Sequence, residues 1–212
     1  MKNLLILVAI IFTISVNAQT SEELEMFNAV NQLRSNPKSF IPHVEAYIKK
    51  LESFIGKSLI DVKLGSNVII TKNTKTIENK ETLDSLISET KQLIEFLKSQ
   101  KSTSSLEFNK KLYTTSKKFV NYLDSTKKIG HTGPDNQTLS DRILGLDLGL
   151  NLGENCVVNK DNTSITETII IWLVDFKVKD KGHRKNLLNE KFVLTATAKS
   201  GNYWVQDFIG TH

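Results

Sequence analysis

Residues 192–209 read FVLTATAKSGNYWVQDFI, and the fold turns on this stretch. Phe192 to Ala198 and Tyr203 to Ile209 are β-prone runs, and Lys199-Ser200-Gly201-Asn202 between them has the composition of a tight turn. The pattern predicts an antiparallel hairpin. Trp204 and Phe208 have the same parity, so both point to one face of the second strand and belong to a core.

Moving toward the N-terminus, Thr163 to Phe176 is mostly apolar and reads as a buried helix, with Ile169-Ile170-Ile171-Trp172 as core. Leu150 to Val158 reads as extended and Leu139 to Leu144 as a short helix, and Gly133-Pro134-Asp135-Asn136 has turn composition. Phe108, Leu112, Phe119 and Leu123 mark a helix that Gly130 is expected to end, placing His131 just beyond it. Leu83, Leu86, Ile87, Thr90, Leu93, Ile94 and Leu97 form an amphipathic stripe. Asn67 to Thr71 predicts a short strand and Lys72 to Lys80 a polar loop. Phe40 to Leu51, with Pro42 near its start, predicts a second helix. Thr20 and Glu23 have capping-box spacing ahead of Met26, Phe27, Val30 and Leu33, a first helix that ends at Asn36-Pro37. No internal repeat is visible. Helices before and between antiparallel strands predict an α+β fold, helices layered on a small antiparallel-rich sheet.

The first eighteen residues stand apart. Lys2, the run Leu4 to Val16, and Val16-Asn17-Ala18 have the order of a cleaved signal peptide, and the run is shorter than the roughly 20 residues a spanning helix needs. The expected organisation is therefore 1–18 signal, 19–103 N-terminal helices and insertion, and 104–212 core domain, in a secreted protein, extracellular or periplasmic. With 28 Lys and Arg against 23 Asp and Glu the chain carries +5, spread among acidic residues without the basic stripe that nucleic acid requires. No later stretch reads as a membrane span. Cys156 is the single cysteine, so packing rather than disulfides must stabilise the domain.

Two of the four histidines lie in Gly-flanked polar contexts, Gly130-His131-Thr132-Gly133 and Gly182-His183-Arg184-Lys185-Asn186. Glu154 sits on a predicted strand and Asp175 near the end of the apolar helix, and a carboxylate there needs a cation, a metal or hydrogen-bond donors. Two imidazoles meet that need. The separations of 23, 21 and 8 residues match no compact metal motif, so spacing leaves open whether the four converge. Cys156 follows Glu154 by two and shares its face, but Val157 and Val158 make it a small buried hydrophobe rather than a nucleophile. His43 and His212 read as surface or packing residues. Asn136 and Asn162 head glycosylation-like triplets and read as exposed loop positions.

Gly130-His131-Thr132, Gly153-Glu154-Asn155, Trp172 to Asp175, Gly182 to Asn186 and Tyr203 to Phe208 occur in an order that resembles the CAP superfamily, or SCP family. That family comprises the cysteine-rich secretory, antigen 5 and pathogenesis-related 1 proteins. The match is strongest over residues 104–210, and Asn31 to Arg34 with Asn36-Pro37 resembles the family's opening helix. The resemblance implies an α-β-α sandwich with a cavity holding two histidines and two acids, here His131, Glu154, Asp175 and His183, with Asn155 and Asn186 as further cavity candidates. It also implies that a divalent metal, often zinc, can occupy that cavity. Asp175 departs from the Glu common at its position. The missing disulfides fit a bacterial-type subgroup, and residues 57–103 exceed a minimal domain. The expected function is binding of an extracellular lipid, peptide or cell-wall fragment. The alternative is a zinc-dependent hydrolase in which Glu154 or Asp175 takes a proton from bound water.

Overall fold

Apolar stripes at intervals of three and four residues fix the first three helices. In the computed structural model, which describes residues 19–56, 60–64, 67–72, 77–149, 151–159 and 161–210, these are α1 (Ser21–Ser35), α2 (Ile41–Glu52) and α3 (Ile77–Ser99). A 3-10 turn, Pro37–Phe40, joins α1 to α2. Met26, Val30 and Leu33 of α1, Val44, Ile48 and Leu51 of α2, and Leu83, Leu86, Leu93 and Leu97 of α3 are buried in one cluster. Strands β1 (Ile60–Leu64) and β2 (Asn67–Lys72) pair antiparallel between α2 and α3. The polar loop expected over 72–80 is corrected at both ends, because Lys72 closes β2 and α3 already begins at Ile77. Once the stripe from Leu83 fixes a helix, polar residues ahead of it extend it at one hydrogen bond each.

The second half supplies the sheet. β3 (Glu107–Phe108), α4 (Lys110–Thr126), α5 (Leu139–Ile143), β4 (Asn151–Val158), α6 (Ile165–Val174), α7 (Gly182–Leu188), β5 (Phe192–Ser200) and β6 (Tyr203–Gly210) follow in order. The expected hairpin is β5–β6, with Ser200 opposite Tyr203. β6 also pairs antiparallel with β4, and β3 runs parallel to β5, giving the order β3-β5-β6-β4 with β4 on an edge. One face carries Val157, Phe192, Trp204 and Phe208 under α1, α2, α3, α6 and α7; the other carries Cys156, Ala196, Ala198, Val205 and Ile209 under α4 and α5. That is an α-β-α sandwich. A register shift between Phe192 and Leu194 lets residues of equal parity face opposite cores, Phe192 to the first and Leu194 to the second. No helix among the described residues is long and apolar enough to cross a membrane.

Two helix boundaries differ from expectation. Phe108 belongs to β3, because Asn109 caps α4 by accepting from the Leu112 N–H at 2.9 Å. α4 ends at Lys127 rather than Gly130, with Lys127 left-handed at φ 54° and its ammonium 2.7 Å from Asp124. The expected signal peptide and His212 lie outside the described residues.

The Thr20–Glu23 capping box forms and ties three elements together. The Thr20 hydroxyl accepts from the Glu23 N–H at 3.2 Å, and Glu23 accepts from the Thr20 N–H at 2.7 Å. Glu23, fully buried, also accepts from the Tyr113 hydroxyl, the Lys117 ammonium and the Lys199 N–H at 2.7–2.8 Å. Burial alone would raise this carboxyl, but Lys117 and the backbone and hydroxyl donors outweigh it and hold the group below its ordinary 4.5. A carboxyl lowered by folding stabilises fully above the unfolded value and loses that contribution as pH falls through the folded one. Urea midpoints should therefore fall below about pH 4.5, and Glu23→Gln should flatten that limb while costing about 1–3 kcal/mol near neutrality. An unchanged acid limb in Glu23→Gln would refute this role.

Candidate functional site

Strand β4 fixes one acid and helix α6 the other. Glu154 lies opposite Asp207 of β6, and its side chain is 4% exposed. Asp175 caps the C-terminus of α6 in the left-handed region, at φ 47° and ψ 52°, and is fully buried. Asp accepts this conformation more readily than most residues because its short polar side chain bonds locally. Here Asp175 Oδ2 accepts the His183 N–H at 2.9 Å, and Oδ1 lies 2.7 Å from His183 Nδ1. The last carbonyls of α6 also find cations: Arg184 donates to those of Leu173 and Val174, and Lys181 to that of Asp175.

His131 makes the corresponding contact with Glu154, its Nδ1 lying 2.9 Å from Oε1. The other oxygen, Oε2, accepts from Arg142 Nη2. Arg142 also donates to the carbonyls of His131 and Gln137, at 3.2 and 3.3 Å, and lies 3.6 Å from the centre of the Phe119 ring. One guanidinium thus holds both the acid and the loop bearing the imidazole. His131 is exposed on its loop, whereas His183 is buried on α7.

The four expected residues form two pairs, His131 with Glu154 beside β4 and Asp175 with His183 where α6 meets α7. Asn155 and Asn186 join the pairs: Asn155 Nδ2 donates to the His183 carbonyl at 3.2 Å, and Asn186 Nδ2 to Asn155 Oδ1 and the Glu154 carbonyl. Among the described residues, the His/Cys/Asp/Glu group whose ligand atoms could hold a metal ion is His131, Glu154 and Cys156, all within 4.8 Å of one another. Cys156 is 2% exposed, and burial, with the neighbouring Glu154 charge, pushes its thiol well up. The expectation of a buried small residue rather than a nucleophile agrees with this placement.

No family model matches this chain, and no curated protein does. Among solved structures it is similar to an extracellular protein containing a SCP domain from Bacillus anthracis str. Ames, with TM-score 0.44, 19% identity, and 67% of this chain and 46% of that one covered. It is also similar to a cysteine-rich secretory protein from Staphylococcus aureus subsp. aureus Mu50, with TM-score 0.38, 18% identity, and 68% and 43% covered. The chain spans less than half the length of either.

Two further groups, neither singled out by the sequence, are brought to Glu154 by this fold. Arg142 follows Leu139 by three and precedes Ile143, so on a short helix it lies on the apolar side, a usable signal for an inward-facing cation. Asp207 interrupts the apolar alternation of β6 and is fully buried, accepting from the Ser116 hydroxyl at 2.5 Å. Burial, then the Glu154 charge on the next strand, pushes the Asp207 carboxyl well up.

Gly153 completes the wall. A Cβ there would fall 2.7 Å from the Phe192 ring and 2.9 Å from Asn186 Oδ1. Gly153→Ala should therefore displace the asparagine bridge and cost about 1–3 kcal/mol. Calorimetric unfolding tests this; an unchanged transition would mean that the wall gives way freely.

Proposed function

We propose that this chain is an exported CAP-fold binding module whose two histidine–acid pairs, His131–Glu154 and Asp175–His183, build a site for a divalent ion beside a small extracellular ligand. The supporting observation is that each imidazole presents Nδ1 to a carboxylate that a second donor anchors, Arg142 for Glu154 and the His183 N–H for Asp175. Proteins fix the tautomer and ring orientation of metal-binding histidines in this way. Nitrogen, carboxylate and thiol donors suit zinc better than magnesium or calcium. Export follows from the leader composition of residues 1–18. The ligand class, a lipid, a peptide or a cell-wall fragment, follows from the family resemblance.

Binding is favoured over the zinc-dependent hydrolase because both acids are spoken for. Arg142 and His131 hold Glu154, and Asp175 is fully buried with both oxygens on His183, so the acids serve to orient the imidazoles and neither is presented to solvent as a free base. Zinc titration of the purified protein by calorimetry should show one site, weakened at least about tenfold in His131→Ala. Affinity should fall with pH, since ligand imidazoles must be neutral. A wild-type protein that binds no zinc overturns the reading. Zinc-dependent hydrolysis that vanishes in Glu154→Ala would replace it with the hydrolase.

A further inference from the structure

We infer that Cys156 is a metal ligand, forming with His131 and Glu154 a three-donor site for a borderline or soft ion such as zinc on the α4 side of β4. This rests on the proposed metal-binding reading and assigns the ion to one of its two pairs, His131–Glu154, whose direct contact the ion would replace. Glu154 and Cys156 alternate along β4, so both side chains leave the same face, and pairing with Asp207 and Val205 of β6 fixes their spacing. His131 Nδ1 lies 2.9 Å from Glu154 Oε1 and 3.8 Å from Cys156 Sγ. Ligand atoms around a tetrahedral zinc with ordinary bond lengths sit roughly 3.3–3.6 Å apart, and these two separations bracket that range. Small side-chain shifts suffice to admit an ion.

The surroundings suit entry and charge balance. His131 has 59% of its side chain exposed, against 4% for Glu154, so an ion arriving from solvent meets the imidazole first. Arg142 holds Oε2 and leaves Oε1 to the ion. On binding, the Nδ1···Oε1 hydrogen bond gives way to metal–nitrogen and metal–oxygen bonds. The S–H bond breaks, sulfur keeps the electron pair and binds the metal, and the proton leaves to solvent. The thiolate and the Glu154 carboxylate, the latter shared with Arg142, then face the dication, and the exposed side keeps a fourth position for water or a ligand atom. The Asp175–His183 pair supports the wall and is not a ligand. Hard ions gain little from a thiolate, so magnesium and calcium should not compete.

Cobalt(II) is the discriminating probe, because cobalt–thiolate bonding gives an intense near-ultraviolet charge-transfer band. Titrating the purified protein should produce that band, zinc should abolish it, and excess magnesium should leave it. Cys156→Ser and Cys156→Ala, each checked for folding by circular dichroism, should lose the band and weaken zinc binding at least about tenfold, whereas Asp175→Asn should retain the band. Wild-type protein that binds zinc but gives no cobalt–thiolate band overturns the cysteine assignment and leaves the broader metal reading standing. Absence of zinc and cobalt binding in the wild type overturns both. The wild-type measurement decides the matter even if the cysteine variants fail to fold.

Discussion

Arg34→Ala is expected to lower unfolding free energy by about 3–5 kcal/mol, the largest loss from any single side chain considered. Arg34 sits on α1, fully buried, with no carboxylate among its hydrogen-bond acceptors in the described residues. Its Nε donates to the Ser104 carbonyl at 2.8 Å, Nη1 to those of Leu187 and Asn189 at 2.8 and 3.1 Å, and Nη2 to that of Phe192 at 3.3 Å. Two of these acceptors lie at the end of α7, where a helix has no partners of its own to offer. Burial pulls the guanidinium down to about 10, so it stays charged at neutral pH and the four carbonyls offset its lost hydration. Alanine removes the donors and leaves those carbonyls buried and unmet. Arg34→Lys keeps the charge but lacks the planar fork, so its loss should be intermediate. Denaturant titration of the three proteins measures this; an alanine variant within about 1 kcal/mol of wild type would show that water replaces the guanidinium.

Asp175→Ala should cost about 3–4 kcal/mol by a different route. It strips the partner from His183 Nδ1 and the cap from the His183 N–H, both buried, while leaving a left-handed alanine without a local polar contact. Asp175→Asn keeps an acceptor and a residue type that tolerates this backbone, so about 1–2 kcal/mol is expected. Amide exchange locates the effect: in Asp175→Ala the His183 amide should exchange far faster than those of β6. Uniform acceleration across the sheet would mean general loosening instead.

The hairpin, the α3 stripe and the Thr20 cap were legible because each is encoded within a few residues, by alternation, by a 3.6-residue period, or by a serial pair of side chains. β3 was not. It is two residues long, and its place comes from β5 and from Asn31, whose amide donates to the Leu106 carbonyl at 3.0 Å and accepts its N–H at 2.8 Å from 75 residues away. The end of α4 was misread for a similar reason, since Lys127 turns left-handed beside Asp124 and no glycine is needed there. At the site, a polar residue on an apolar element was a sound warning for Glu154 and Asp175, and it would have flagged Asp207 as well. Which histidine meets which acid depends on the crossing of β4 with α7 and on Arg142, and spacing along the chain carries neither.

The displaced register at the start of β5 has a consequence for how this chain can vary. Because Phe192 and Leu194 oppose Gly210 and Ile209, the extra residue Val193 lets Phe192 stack on Phe208, ring centres 5.3 Å apart, beneath Gly153. Deleting it would restore simple alternation and swing Phe192 to the opposite core. Relatives of this chain should thus hold the residue count between Asn189 and Leu194 constant, a length constraint that aligned sequences would expose even where no side chain is shared.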